Sequence, residues 1–355
     1  MSVFINGRFL TQKTSGVQRF AREIITALDK RLSEDKTSEN WTLLTPESDA
    51  DILPLSTIRQ QKIGSRSGHL WEQTDLYRAA KSGKLVNLCN SGPVLHRRSL
   101  TVIHDAMIFR TPENFSWKYR LAHSTLGYLL ARRGKIATVS AFSRSELEAT
   151  IGARDVLVIP NSCEHMAKIG ADVSVLSRLE LEREKYLLFV GSPTPNKNIR
   201  KAIEAIRMMG EGARKFVVVG AAASSVFQAN GEAEQGSDRV IFTGRLSDEE
   251  IVALYANAGA LLFPSLYEGF GIPPLEAMFL GCPVLSSDIP PTREVCGDAA
   301  IYFDPTKAED MVQAIDAIMN EPDGRTEMIE LGHARAQKFS WDGSAEKLLH
   351  AISRL

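Results

Sequence analysis

At 355 residues, 44% hydrophobic and 24% charged, the chain has the composition of a soluble globular protein and the length for two ordinary domains. It holds no run of roughly eighteen apolar residues, and its start, MSVFINGRFL, lacks the apolar core of a secretory signal, so a cytoplasmic protein that does not span a membrane is expected. The net charge of −1 divides into +8 over residues 1–170 and −9 over residues 171–355; this predicts different partners for the two halves, while the lack of a dense basic run argues against nucleic acid.

Strand-like and helix-like segments alternate along the first half. Ser2–Asn6 reads as a short strand, and Lys13-Thr14-Ser15-Gly16 leads into an amphipathic helix over Val17–Leu28. Further strands are expected at Trp41–Leu44, Leu85–Leu88, Leu100–Ile103 and Lys135–Val139, with a helical pattern over Ser116–Arg133. Such alternation predicts a parallel sheet with crossover helices. Leu100–Ile103 ends in His104 and Asp105, which places an imidazole at the carboxyl edge of that sheet. The stretch Phe115–Arg133 mixes Trp117, Tyr119, Leu121 and Tyr128 with Lys118, Arg120, Arg132 and Arg133. That mixture suits either packing on its own sheet or contact with an anionic membrane surface.

The polar segment Ser174–Lys185 precedes a fresh strand and marks a domain boundary near residues 165–184. Strands are then expected at Tyr186–Val190, Lys215–Val219, Val240–Phe242, Ala260–Phe263, Pro283–Ser286 and Ala300–Phe303. Asn198–Met209, Ser247–Ala256, Pro274–Phe279 and Lys307–Asn320 read as the intervening helices, and Ser247 with Glu250 forms a capping box. Cys89, Cys163, Cys282 and Cys296 lack CxxC spacing and read as reduced structural residues.

The most specific segment is Ala258–Asp304. Within it Glu268 and Glu276 flank Gly269-Phe270-Gly271-Ile272, and Pro273-Pro274 opens a helix. Proline suits a first helical turn, where its missing N–H costs nothing. Loop amides and the helix's positive end would both present donors to an anionic or polyol ligand. The run PSLYEGFGIPPLEAMFLGCPV resembles the donor-site signature of retaining family-4 glycosyltransferases with the GT-B fold. That resemblance implies two doubly wound Rossmann-like domains whose parallel sheets face an interdomain cleft. The expected divisions are 1–170 for acceptor binding, 171–335 for the nucleotide-sugar donor, and 336–355 as a helix crossing back to the first domain.

The resemblance also implies roles. Glu276 would accept hydrogen bonds from the ribose hydroxyls, and Glu268 with the amides of Gly269, Phe270, Gly271 and Ile272 would face the donor sugar. Gly191-Ser192-Pro-Thr-Pro-Asn196-Lys197-Asn198 is similar to the family's phosphate segment, with Lys197 as its cation and Ser192 as a hydrogen-bond donor. Ser192 and Asn196 stand where arginine is common in relatives, so one cation is expected to be missing. Arg245 and Leu246 would line the base pocket, and Gly16 would lie at the donor diphosphate or the acceptor. His104 would contact a sugar hydroxyl and stabilise charge at the reacting carbon. The implied activity is retaining transfer of a hexose, with mannose from GDP-mannose as the first candidate. The acceptor would be a glycan or polyprenyl-linked glycan in surface polysaccharide or lipopolysaccharide synthesis, met with possible peripheral membrane contact. The sequence carries no Asp-x-Asp metal motif, so metal-independent turnover without a cofactor is expected. The alternatives are a GT-B nucleotide-sugar epimerase or phosphorylase and a non-catalytic nucleotide-binding subunit.

Overall fold

The computed structural model describes residues 2–36, 39–48, 50–210, 214–220, 239–319 and 322–355. The chain divides into two compact units, Met1–Asn161 with Ser340–Leu355, and Ser162–Phe339. The crossings therefore fall at 161/162 and 339/340, earlier and later than the boundaries at 170/171 and 335/336 expected from sequence. Ser174–Lys185 is surface of the second unit, not a linker: Ser174–Arg178 is a short helix with Val175 fully buried, and Asp172 N donates to Glu249 O at 3.0 Å.

In the first unit seven parallel strands lie in the order β3-β2-β1-β4-β5-β6-β7. They are β1 (Ser2–Asn6), β2 (Asn40–Thr45), β3 (Arg59–Lys62), β4 (Lys84–Asn87), β5 (Ser99–Val102), β6 (Lys135–Thr138) and β7 (Leu157–Val158). Two of these, β3 and β7, were not expected from sequence. β3 is an edge strand reading RQQK and mostly exposed, so no hydrophobic alternation marks it; β7 has two residues.

The helix Gly16–Glu34 buries Phe20, Ile24, Ile25, Leu28 and Leu32, spaced to fall on one face. Asp29 lies on that buried side and accepts hydrogen bonds from Ser56 N (2.8 Å), Thr57 N (2.9 Å) and Ile58 N (2.7 Å), which hold the approach to β3. Burial opposes ionisation of Asp29, but these donors outweigh it and lower its pKa. The terminal helix Trp341–Ser353 packs on Gly16–Glu34. Arg31 Nε and Nη2 meet both Asp342 oxygens at 2.6 and 2.9 Å, and Lys84 Nζ donates to Ile352 O at 2.8 Å near the helix's carboxyl end. A lysine there satisfies an orphan carbonyl and complements the helix dipole.

The second unit is a six-stranded parallel sheet in the order β10-β9-β8-β11-β12-β13. Its strands are β8 (Tyr186–Val190), β9 (Lys215–Val219), β10 (Val240–Gly244), β11 (Ala260–Phe263), β12 (Val284–Ser287) and β13 (Ile301–Phe303). β8, β9 and β11 are continuous apolar runs because both faces are covered. Helices Ile199–Met208 and Ala308–Met319 press Ile203, Ile206, Met311 and Ile315 onto one face. Asn320, at the end of a predicted helix, lies outside the described residues. In each unit strand order reverses once, between β1 and β4 and between β8 and β11. Loops leaving such a switch point diverge and open a crevice at the carboxyl edge.

Candidate functional site

At the carboxyl edge of the second unit, three strand ends are held together by glycine backbone. Gly191 N donates to Val219 O at 3.1 Å, and Gly220 N donates to Gly244 O at 2.7 Å. Gly220 has φ +92°, and a Cβ there would stand 2.5 Å from Gly191 O, so no side chain fits between these strands. Ser192 is exposed on the turn that follows. Pro195–Lys197 then makes one tight turn, and Asn198 adopts a left-handed conformation at φ 54°. Asn198 Nδ2 donates to Pro264 O (3.1 Å) and Pro305 O (2.7 Å), tying this loop to the ends of β11 and β13.

Asn196, read from sequence as the place of a missing cation, is a buried strut. Its Nδ2 donates to Tyr267 O at 3.1 Å and its carbonyl accepts from Leu266 N at 2.7 Å. Those two bonds fix the chain immediately before Glu268. The neighbouring Lys197 Nζ lies 2.6 Å from Glu268 Oε1 and 5.5 Å from the centre of the Phe263 ring. The two side chains are 17% and 11% exposed, so the pair is shielded on most sides while its edge stays reachable. Lys197 and Glu268, 71 residues apart, thus form one polar group.

After Glu268 the chain turns through Gly269 and Phe270 to Gly271, whose φ of +115° starts the helix Ile272–Phe279. A residue with Cβ would be strained at that φ. Phe270 is buried and meets Phe339 edge-on at 5.7 Å, which anchors the loop from beneath. One turn into the helix, Glu276 accepts a hydrogen bond from Tyr255 Oη at 3.2 Å, and its other oxygen stands 3.9 Å from His165 Nε2. Burial and the Glu276 charge push the Tyr255 phenol pKa well up, so it remains a donor at any working pH.

Gly244, at φ +66°, ends β10 and carries the chain to exposed Arg245 and half-buried Leu246. The expected capping box follows: Glu250 N donates to Ser247 Oγ (3.2 Å) and Ser247 N to Glu250 Oε2 (2.8 Å). Ser192, Lys197, Arg245, Leu246, Glu268, the Gly269–Ile272 loop and Glu276 therefore all lie on the carboxyl-edge loops of one unit or on the helix that follows. A cavity of about 690 Å³ opens at the opposite edge, lined by Tyr186, Lys215, Met208 and Met319. Helices Ile199–Met208 and Ala308–Met319 end there, so their negative poles face it and disfavour an anion.

Gly16 and His104 belong to the first unit. Gly16 is exposed in the first turn of its helix, behind the Ser15 cap. His104 follows β5, 6% exposed; its Nε2–H donates to Leu88 O at 2.9 Å, and its ring stands edge-on to Phe20 at 4.9 Å. Burial lowers its pKa to about 4, so at neutral pH the imidazole is an uncharged, fixed dipole. Any help it gives to a reacting sugar is by orientation, without a formal charge.

Sequence reasoning did not find His165, Tyr255, or the bracing roles of Asn196 and Asn198. His165 and Tyr255 are brought to Glu276 by tertiary packing across gaps of 111 and 21 residues. A left-handed asparagine before a helix was the one local signal available.

Residues 177–335 match the family model described as glycosyl transferases group 1. The chain is 29% identical over 272 residues to O-antigen chain mannosyltransferase B of Escherichia coli, covering 73% of this chain and 71% of that protein. It is 32% identical over 235 residues to the O-antigen chain mannosyltransferase RfbU of Salmonella typhimurium, covering 65% and 63%. Its backbone matches the crystal structure of WaaG, a glycosyltransferase involved in lipopolysaccharide biosynthesis, with a TM-score of 0.74 at 17% identity over 99% of this chain and 100% of that one.

Proposed function

We propose that this chain, whose second domain belongs to the group 1 glycosyl transferases and whose fold is GT-B, is a retaining glycosyltransferase acting in surface polysaccharide or lipopolysaccharide synthesis. The carrying observation is the Lys197–Glu268 pair at 2.6 Å beside the glycine loop and the Glu276 helix. A nucleotide sugar needs a cation for its diphosphate and acceptors for its hydroxyls, and this arrangement has both. Lys197 takes the diphosphate with the Ser192 turn, Glu276 takes the ribose hydroxyls, and Glu268 with the amides of Gly269 to Ile272 takes the sugar. Arg245 and Leu246 serve the base. His104 and Gly16 serve the same reaction from the first domain, which carries the acceptor.

In the reaction, the bond from the anomeric carbon to the leaving phosphate breaks while the acceptor oxygen bonds to the same face. The acceptor's proton passes to a phosphate oxygen, giving a glycoside and a nucleoside diphosphate. Positioning and electrostatic stabilisation account for the rate. Mannose from GDP-mannose is the first candidate donor, in line with the O-antigen mannosyltransferases this chain resembles. Turnover is proposed to need no metal. Among the described residues no helix is long and apolar enough to cross a membrane. Trp117 (66% exposed), Leu121 (62%) and Tyr128 (41%) share one face of the helix Trp117–Arg133, and with Arg120 and Arg132 they are proposed to touch an anionic lipid surface.

The test is a screen of nucleotide sugars for binding and hydrolysis, with and without EDTA. Glu276→Ala and Lys197→Ala are each expected to weaken binding about 10–100-fold, the worth of charge-assisted hydrogen bonds. Tight binding indifferent to both changes would sink the assignment. Loss of activity in EDTA restored by Mg²⁺ would sink metal independence, and failure to bind anionic vesicles at low salt would remove the membrane contact.

A further inference from the structure

A second polar centre lies in the first domain, at the carboxyl edge beside the β1/β4 switch point. Its foundation is Glu72, 1% exposed, which opens a π-helical turn over Glu72–Leu76. Glu72 Oε1 accepts from Asn6 Nδ2 (2.9 Å), Arg8 Nε (2.9 Å) and Ser91 Oγ (2.8 Å), and Oε2 lies 2.9 Å from His69 Nδ1. These partners keep the carboxyl ionised, with its pKa lowered despite burial. A buried carboxylate engaged by four side chains in this way is a positioning device. It fixes the Arg8 fork, and it fixes the His69 ring through Nδ1, leaving the Nε2 edge facing outward.

The helix Trp117–Arg133 adds the other wall. Tyr119 and His123 are four residues apart and share a face. Their rings stack at 4.0 Å, Phe115 stacks on Tyr119 at 5.6 Å, and His123 meets His69 edge-on at 5.3 Å. Arg8 joins the row through Glu72, whose carboxylate it shares with His69. Tyr119 is 47% exposed and His69 46%, so the row and the imidazole edge are open.

The charge balance selects the ligand class. Arg8 is already compensated by Glu72, and the negative charge of Asp105 also acts on Tyr119. The Tyr119 hydroxyl, the two imidazole edges and an aromatic row beside an already paired arginine match a neutral sugar ring, whose C–H face stacks while its hydroxyls bond. The Arg8 charge that a carboxylate or phosphate would seek is already paired with Glu72 at 2.9 Å.

We propose that His69, Tyr119, His123 and Arg8 form the acceptor subsite, and that it takes the terminal ring of a neutral hexose glycan in preference to an acidic or phosphorylated sugar. The site assignment rests on the transferase reading above, though its sugar chemistry stands on the cluster alone.

The experiment is ligand-observed saturation-transfer NMR on the full chain, with methyl α-hexopyranosides and the matching methyl hexuronides as probes. The neutral glycosides are expected to bind at millimolar concentration and the hexuronides to bind at least several-fold more weakly. Tyr119→Phe, His69→Gln and His123→Gln should each weaken the neutral glycoside several-fold, and Trp117→Ala, on the outer face of the same helix, should not. Nucleotide-sugar hydrolysis without acceptor, measured on the same variants, should stay unchanged. Equal binding of hexuronide, no binding by any probe, or binding indifferent to all three cluster variants overturns the proposal. Failure of nucleotide-sugar binding with the sugar results intact would instead overturn the transferase reading.

Discussion

Lys197 and Glu268 show how much one residue's role depends on its partner. Each neutralises the other at 2.6 Å, so a diphosphate bound as proposed would compete with Glu268 for the same ammonium. Glu268→Gln removes that competitor and also removes a charged acceptor from the donor sugar. We expect nucleoside diphosphate affinity to hold or to tighten several-fold, while transfer falls about 10–100-fold. Calorimetry with the nucleotide beside a transfer assay separates the two; weaker nucleotide binding with unimpaired transfer would show that Glu268 supports the phosphate site instead. His104 gives a prediction in pH. Its pKa is near 4 when folded and 6.5 ordinarily, so the unfolded chain takes up the proton first as pH falls. Stability is full above pH 6.5, declines between 6.5 and 4, and levels off below, a loss of about 3 kcal/mol from this group. His104→Gln should flatten that part of the acid limb in chemical denaturation; an unchanged limb would mean the imidazole is not held neutral. The histidine's position at a strand end was legible in the sequence. Its neutral state was not, because the burial that lowers its pKa against the opposing pull of the Leu88 carbonyl is supplied by residues far from it in the chain.

At the level of elements, the second domain was the more legible. Tyr186–Val190, Lys215–Val219 and Ala260–Phe263 are apolar runs bounded by turns, and the structure makes each a strand with those ends. A strand covered on both faces announces itself by composition alone. The first domain hid β3 because an exposed edge strand needs no apolar face. It also hid the π-helical turn EQTDL, where Glu72 is buried through hydrogen bonds to Asn6, Arg8, Ser91 and His69 that the turn's own sequence does not encode. The glycine floor beneath the donor loops was half legible: Gly191 and Gly244 fell inside recognisable segments, and the close approach at Gly220 did not. Gly220→Ala would bring a Cβ to 2.5 Å from the Gly191 carbonyl at φ +92°. That clash and strain should cost about 2 kcal/mol or more. By splaying β8 from β9 it should also weaken nucleotide-sugar binding. A variant with parent-like melting and binding would refute the floor's role.

Over the whole molecule, the charge split between halves takes on a chemical meaning. The acidic half holds the proposed donor site, where Lys197 is paired to Glu268, and the basic half holds the proposed acceptor cluster, where Arg8 is paired to Glu72. Neither of these two ion pairs contributes to the charge excess of its half. Chain connectivity gives a further test. The first domain is completed by Ser340–Leu355, which brings in Trp341 (6% exposed), Leu348 (0%) and Ile352 (2%). Each such side chain contributes about 1.5–3 kcal/mol when buried, so removing residues 340–355 should destabilise the first domain by about 5 kcal/mol or more. The bidentate Arg31–Asp342 pair is exposed on its acidic side and adds little to that figure. The second domain keeps its own core of Leu187, Phe189, Ile203 and Ile315 and should survive the truncation. Limited proteolysis is expected to digest residues from the first 161 rapidly while leaving a protected fragment within 162–339 that still binds nucleotide. If the truncated chain melts as one unit at the parent temperature, the terminal helix is dispensable, and the two-unit division drawn from the contacts is wrong.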